Sequence, residues 1–377
     1  MSDRIPEMTS DFGNRWGRSP WRTATALPRV RMPARADFVV VGGGFSGLSA
    51  AAWLGRMAPG KKVVLLEADK IGAGASGRTG GMTLAESAAG NLPGLGDVLA
   101  GFAKILQELK ISCDFLECGA WEIGRKNGKP DSAIRWKDSG NLRVVNEVPG
   151  GTVDAGKLLR GLARAAIAGK VRIVEGSAVT ELHHGKKIRV KLRGGKEMVA
   201  GQVLIATNAQ SLELSGLQDQ TSPKLTMGVA TAPLSARAVK ATGLAARKPF
   251  YTVDLPYLWG RLRKDNTAIF GAGLVTVENW EELHQLDVRS GRARELLASL
   301  KERVRGLHPA LRNAKFTHAW GGPILLTDKA RPIFARLQKN VIVLGGYNGH
   351  GVALSVYLGR WAAEAMLDKQ KLPSWND

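Results

Sequence analysis

The chain has 377 residues, 44% of them hydrophobic and 46 of them glycine, which suits a loop-rich protein with two domains and excludes a small disulfide-stapled module. Its formal charge is +21, from 54 Lys and Arg against 33 Asp and Glu, and charge alone supports only non-specific association with nucleic acid or an anionic membrane. No uninterrupted run of about 18 apolar residues exists, so no transmembrane helix is expected.

Residues 1–36 carry seven Arg and three acids without a continuous apolar stretch, so they read as an extended arm that ties Trp16 and Trp21 to the body, not as an export signal. A cytoplasmic location is the default. The apolar run Asp37-Phe38-Val39-Val40-Val41 then enters Gly42-Gly43-Gly44-Phe45-Ser46-Gly47, and Glu67 closes the next run, Val63-Val64-Leu65-Leu66. Strand, glycine turn, helix and acid fall in the register of a dinucleotide-binding βαβ unit. There Gly42 allows the turn, Gly44 admits the pyrophosphate, Gly47 lets the helix approach the strand, and the acid accepts ribose hydroxyls.

A loop with five glycines follows, Ile71 to Met82, of a kind that wraps a flat ligand closely. A helix is expected over about 96–118, and the thiols Cys113 and Cys118 are expected buried along it, since their spacing fits neither a CxxC redox pair nor a metal set. A polar, glycine-punctuated region leads to a second helix over 155–168, then strands Val171–Val174 and Ala178–Leu182. Lys186 to Arg193 alternates basic and apolar residues like the solvated face of a hairpin, and the strand Gln202–Ala206 ends in Thr207-Asn208-Ala209. From about 226 to 316 the pattern is hairpin-like and aromatic, ending in a charged helix. In that helix Leu296, Leu297, Leu300 and Val304 form a stripe among Arg289, Arg292, Arg294, Lys301, Arg303 and Arg305, read as an exposed face. The chain closes with strand Asn340–Leu344, the loop Gly345-Gly346-Tyr347-Asn348-Gly349-His350-Gly351 and a helix from Val352 to about Leu367. A second strand, glycine loop and helix at the far end implies a discontinuous nucleotide domain. The expected class is α/β: a Rossmann-type domain plus an α+β domain on an antiparallel sheet. The divisions are an arm at 1–36, nucleotide-domain parts at 37–95, 151–225 and 317–377, and second-domain parts at 96–150 and 226–316.

Together, GGGFSG, Glu67, GASGRTGG, ATNA and GGYNGHGVAL resemble the FAD-dependent D-amino-acid oxidase superfamily, glycine and sarcosine oxidases among them, and most of all its gamma-glutamylputrescine oxidase branch. The resemblance is good over 37–90, 151–210 and 317–366 and loose between. It implies non-covalent FAD, with Gly42, Gly44, Ser46 and Gly47 at the pyrophosphate, Glu67 at the ribose and Val179 beside the adenine. Ala75, Ser76, Arg78, Gly80, Gly81 and Met82 would run along the isoalloxazine. The cofactor set also takes in Phe45, Ala68, Gly74, Thr207, Asn208, Gly346, Asn348, Gly349, His350, Gly351 and Val352. The N–H groups of Gly349, His350 and Gly351, opening a helix, are suited to the negative charge that builds on a reduced flavin. No metal is expected.

The reaction implied is oxidation of the C–N bond of an amine or amino acid by hydride transfer to flavin N5. The imine then hydrolyses, with oxygen or another acceptor taking the electrons. Candidates for the substrate pocket are Tyr257, Trp259, Arg261, Trp320, Tyr347 and His350. The stretch Phe250 to Arg261 reads equally as a packed sheet face with a solvated Arg, Arg331 either anchors a carboxylate or lies at the surface, and His350 is also read as merely structural. Three departures stand out. No Cys occurs in Gly322–Thr327, where some relatives attach flavin. Ala353 and Ile269 stand where lysines for substrate carboxylate and for oxygen are expected. The stretch Gly119–Gly151 is short, as though helices were missing. Two alternatives follow: a tRNA-base-modifying flavoenzyme, suggested by the basic charge, and a flavin-binding subunit that needs a partner chain. Homo-oligomer formation is left open.

Overall fold

The computed structural model describes residues 15–375. Its first sheet grows from the apolar runs. Arg35–Val41 pairs in parallel with Val63–Leu66 on one side and with Glu197–Ile205 on the other, and Arg172–Val174 and Val341–Gly345 extend it in parallel. Alternate residues of these strands enter different cores. Phe38, Val40, Leu65, Leu204 and Ile342 meet the helices Phe45–Met57, Ala155–Ala168 and Gly351–Met366. Val39, Val41, Val64, Val203 and Val343 meet the far face, with Val190 and Leu192 of a hairpin strand. A sheet covered on both faces needs continuous apolar strands, and these have them.

Glu197–Ile205 is longer than the expected Gln202–Ala206 because it serves two partners. Its first half pairs with Ile188–Leu192 of the hairpin and its second half with Val341–Val343. In that hairpin strand Ile188, Val190 and Leu192 are buried and Arg189 is exposed, as the alternation predicts.

The second sheet has nine strands, in the order Gly17–Arg18, Phe316–Thr327, Thr221–Thr231, Ala268–Thr276, Trp259–Leu262, Phe250–Thr252, Ala120–Gly124, Asn141–Val148 and Trp136–Lys137. All its pairings are antiparallel except that of Phe250–Thr252 with Ala120–Gly124. One face packs on the helix Gly291–Leu307 through Leu297, Leu300 and Val304.

Three expectations need correction. The helix expected over 96–118 is Val98–Glu108. Lys110 turns left-handed (φ 53°), and Ile111 N–H bonds back to the Leu106 carbonyl and Lys110 N–H to that of Gln107, a Schellman stop made without glycine. Cys113 and Cys118 therefore lie beyond the helix, and only Cys113 is buried. The strand Phe316–Thr327 belongs to the nine-stranded sheet, so the division expected at 317 falls inside a strand of the other layer. The stretch read as shortened supplies Ala120–Gly124 and Asn141–Val148 to that sheet.

The arm is held by its tryptophans. Trp16 is fully buried with its indole N–H on the Leu283 carbonyl, and Trp21 donates to the Thr79 carbonyl at 2.7 Å. The arm's residues 1–14 lie outside the described residues.

Candidate active site

Gly42 sits at φ +110°, and a Cβ there would lie 2.6 Å from the Ala206 carbonyl oxygen. A Cβ on Gly47 would run into the Gly42 carbonyl, so both positions need glycine: one to turn, the other to bring the helix down on the strand. The loop Gly74 to Gly80 folds back over this turn, and Ser76 Oγ accepts the Phe45 N–H at 2.9 Å. Glu67 follows its strand immediately and accepts the N–H groups of Gly43 at 2.7 Å and Asp69 at 2.9 Å.

The far end of the chain closes on the same place. Asn208, left-handed at φ 53°, accepts the Gly346 N–H at 3.0 Å, which ties the end of Glu197–Ile205 to the terminal glycine loop. Tyr347 OH and Ser46 Oγ lie 2.6 Å apart, joining that loop to the first glycine turn. Asn348 is a structural pin. Its side-chain oxygen accepts the Thr327 N–H at 2.8 Å, and its amide nitrogen donates to the Gly346 carbonyl at 2.7 Å.

Between these elements runs one cavity of about 1050 Å³. Its lining includes Gly42, Gly44, Phe45, Ser46, Glu67, Ala68, Gly74, Ala75, Ser76, Arg78, Gly80, Met82, Val179, Thr207, Asn208, Asn348, Gly349, His350, Gly351 and Val352. Gly47, Gly81 and Gly346 stand behind the wall. The Arg78 side chain turns out of the cavity, donating to the carbonyls of Ala73, Trp16, Gly17 and Gly321. Of the three N–H groups expected at the terminal loop, that of His350 is committed to the Tyr347 carbonyl at 2.9 Å. Burial depresses the His350 imidazole below its usual pKa, so the ring is neutral at pH 7.

Tyr257 and Tyr347 line the cavity, as does Trp259, whose indole fits where Gly80 and Gly271 leave room. Arg261 and Trp320 do not. Arg261 is 6% exposed and donates to the carbonyls of Gly81 and Val153, while Trp320 N–H donates to the Arg78 carbonyl at 2.8 Å. Arg331 is held by the Trp375 carbonyl at 3.0 Å. Ile269 and Ala353 are fully buried away from the cavity, and the strand carrying Ile269 presents Gly273 and Leu274 instead.

Thr226, Tyr251, Arg303 and Gly322 to Leu326 line the cavity without having been singled out as candidates. Arg303, read as one of a solvated helix face, instead grips Asp138. The available signal was Gly321-Gly322-Pro323 inside a strand, where glycine marks a close approach: a Cβ on Gly322 would lie 3.2 Å from the Arg78 carbonyl oxygen.

A profile of the FAD dependent oxidoreductase family matches residues 37–365. The chain belongs to that family. This FAD-dependent oxidoreductase is 29% identical to the gamma-glutamylputrescine oxidoreductase of Escherichia coli, over 88% of its own length and 83% of that protein. It is 27% identical to a probable oxidoreductase, OrdL, of Haemophilus influenzae, over 92% of this chain and 86% of that one. In fold it is similar to the glycine oxidase of Geobacillus kaustophilus, with a TM-score of 0.70 at 18% identity, covering 90% of this chain and 96% of that structure. The cavity suits the family's cofactor: it is about 1050 Å³, and the glycines of both chain ends, Gly42, Gly44 and Gly349, line it without side chains, a Cβ on Gly349 meeting only open space.

Proposed function

We propose that this oxidoreductase oxidises the carbon–nitrogen bond of an amine or amino acid. The observation that carries the reading is the single cavity, which runs from the glycine turns of both chain ends to a wall of the antiparallel sheet. Gly42, Gly44, Ser46, Glu67 and Val179 would hold the dinucleotide part of FAD, while Ala75 to Gly80, Ser355 and Gly349 to Val352 would flank its flavin. Bound FAD supplies the hydride acceptor. The chain's own part is to place the substrate and exclude water. Trp259, Tyr257 and Leu274 give the substrate space an apolar wall, in which an uncharged amine is favoured over its ammonium form. The Gly349 and Gly351 amides, at the start of Gly351–Met366, bring the positive end of a helix to the cavity and favour negative charge there. The names of the Escherichia coli relative, acting on an amine, and of the glycine oxidases support the same chemistry.

Anaerobic mixing of the FAD-loaded protein with a panel of primary amines, secondary amines and amino acids tests the reading. Loss of the oxidised-flavin absorbance with at least one of them is expected, and indifference to the whole panel would rule it out.

A further inference from the structure

The charged residues among the described lining of the cavity are Glu67, Arg78 and Arg303, and none of them is a free cation. Glu67 holds two backbone amides and Arg78 faces four carbonyls outside the cavity. Arg303 spends four of its five N–H donors on both Asp138 oxygens and the carbonyls of Pro256 and Tyr257. Asp138 also takes Arg125, which in turn grips Asp254, so two guanidiniums are matched by two carboxylates and the network is neutral. Nearby, Tyr251 OH donates to the Glu122 carboxylate at 3.0 Å, which places negative charge behind that part of the wall. A substrate carboxylate would find no counter-ion here, and burying one unpaired is strongly unfavourable.

The mouth has the opposite character. Among the described residues five large apolar side chains are exposed. Leu255, Tyr257 and Leu274 line this cavity, and Val253 sits in the same loop as the first two. Leu255 is 83% exposed, and its grouping with Val253, Tyr257 and Leu274 is what marks a place where an apolar group binds. Because these residues continue the cavity wall, the covering group is a part of whatever occupies the cavity.

We propose that the substrate is an amine with no carboxylate on the carbon bearing nitrogen, and with an apolar substituent that lies across Leu255, Tyr257 and Leu274. This rests on the amine-oxidoreductase reading above. That carbon loses a hydride and the nitrogen a proton, the two electrons pass to the bound FAD, and water converts the imine to a carbonyl compound and ammonia or an amine.

Matched pairs mixed anaerobically with the FAD-loaded protein decide it: pentylamine against D- and L-norleucine, and phenethylamine against D- and L-phenylalanine, with putrescine as a polar amine. Each amine is expected to reduce the flavin at least about tenfold faster than its carboxylated partner, and pentylamine about tenfold faster than putrescine. Leu274→Asp is expected to raise the half-saturating pentylamine concentration about tenfold with the flavin spectrum unchanged, and an unaltered half-saturating concentration would overturn the apolar contact. Amino acids matching or outrunning their amines, or putrescine outrunning pentylamine, would overturn the proposal and leave the amine-oxidoreductase reading standing. No reduction by any of these, with reduction by another member of the wider panel above, would overturn the proposal alone; indifference to that whole panel would overturn both.

Discussion

The carboxylate of Glu67 is short of water: loss of hydration pushes its pKa from 4.5 up to about 7, against the pull of the Asp69 and Gly43 amides. The folded protein then binds this proton more tightly than the unfolded chain does. The group's stabilising contribution is therefore complete below pH 4.5 and lost as pH rises through about 7. In the proposed arrangement, hydroxyl groups of a bound ribose would donate to the charged form and so pull the pKa back down. The thermal midpoint of FAD-free protein is expected to fall between pH 4.5 and 7 relative to Glu67→Gln, and FAD affinity of the unmodified protein to rise over the same window. Parallel pH curves for the two proteins would contradict this. The position of Glu67 was legible from its spacing to the glycines, whereas its protonation depends on neighbours that only folding supplies.

Elements meet at the Asn208 side chain, which bonds the end of Glu197–Ile205 to the terminal loop. Asn208→Ala loses that acceptor and leaves a non-glycine, non-Asn residue in the left-handed region, an expected loss of about 2 kcal/mol in urea unfolding together with weaker FAD retention. Asn208→Asp keeps both the acceptor and the tolerance of that conformation, and should recover most of the loss. Equal behaviour of the two variants would deny the link its role. Element boundaries were readable wherever they are local. Ala155–Ala168 has the expected ends because Asp154 caps Lys157 N–H and Gly169 follows its last turn. The end of Val98–Glu108 was not readable, because a lysine adopts the left-handed turn usually given to glycine.

At the scale of the whole molecule, the arm is a clasp across both sheets. The Trp16 carbonyl accepts from Gly321 N–H at 2.8 Å and from Arg78 Nη1 at 3.0 Å, so the arm, the nine-stranded sheet and the cavity loop are fixed together. Trp16→Ala is expected to lower stability by about 3–5 kcal/mol in denaturant titration and to loosen FAD, because the loop that Arg78 pins lines the cavity. A variant that keeps its FAD after desalting and its unfolding midpoint would show the clasp to be dispensable.

The glycine-turn side of the cavity was legible along the chain. Its turns, helix start and acid are neighbours along the chain, and glycine is required at Gly42 and Gly47 by contacts that any such unit makes. The opposite wall was set by pairing between distant segments. Thr226 stands across from Gly322 through long-range strand register, and Leu274 faces the cavity while Ile269 of the same strand does not. Arg261, two residues beyond Trp259, is consumed by the carbonyls of Gly81 and Val153, from two distant segments. An alternating strand shows which residues share a face but not which layer that face meets, and that choice is made by pairing between segments far apart in the chain.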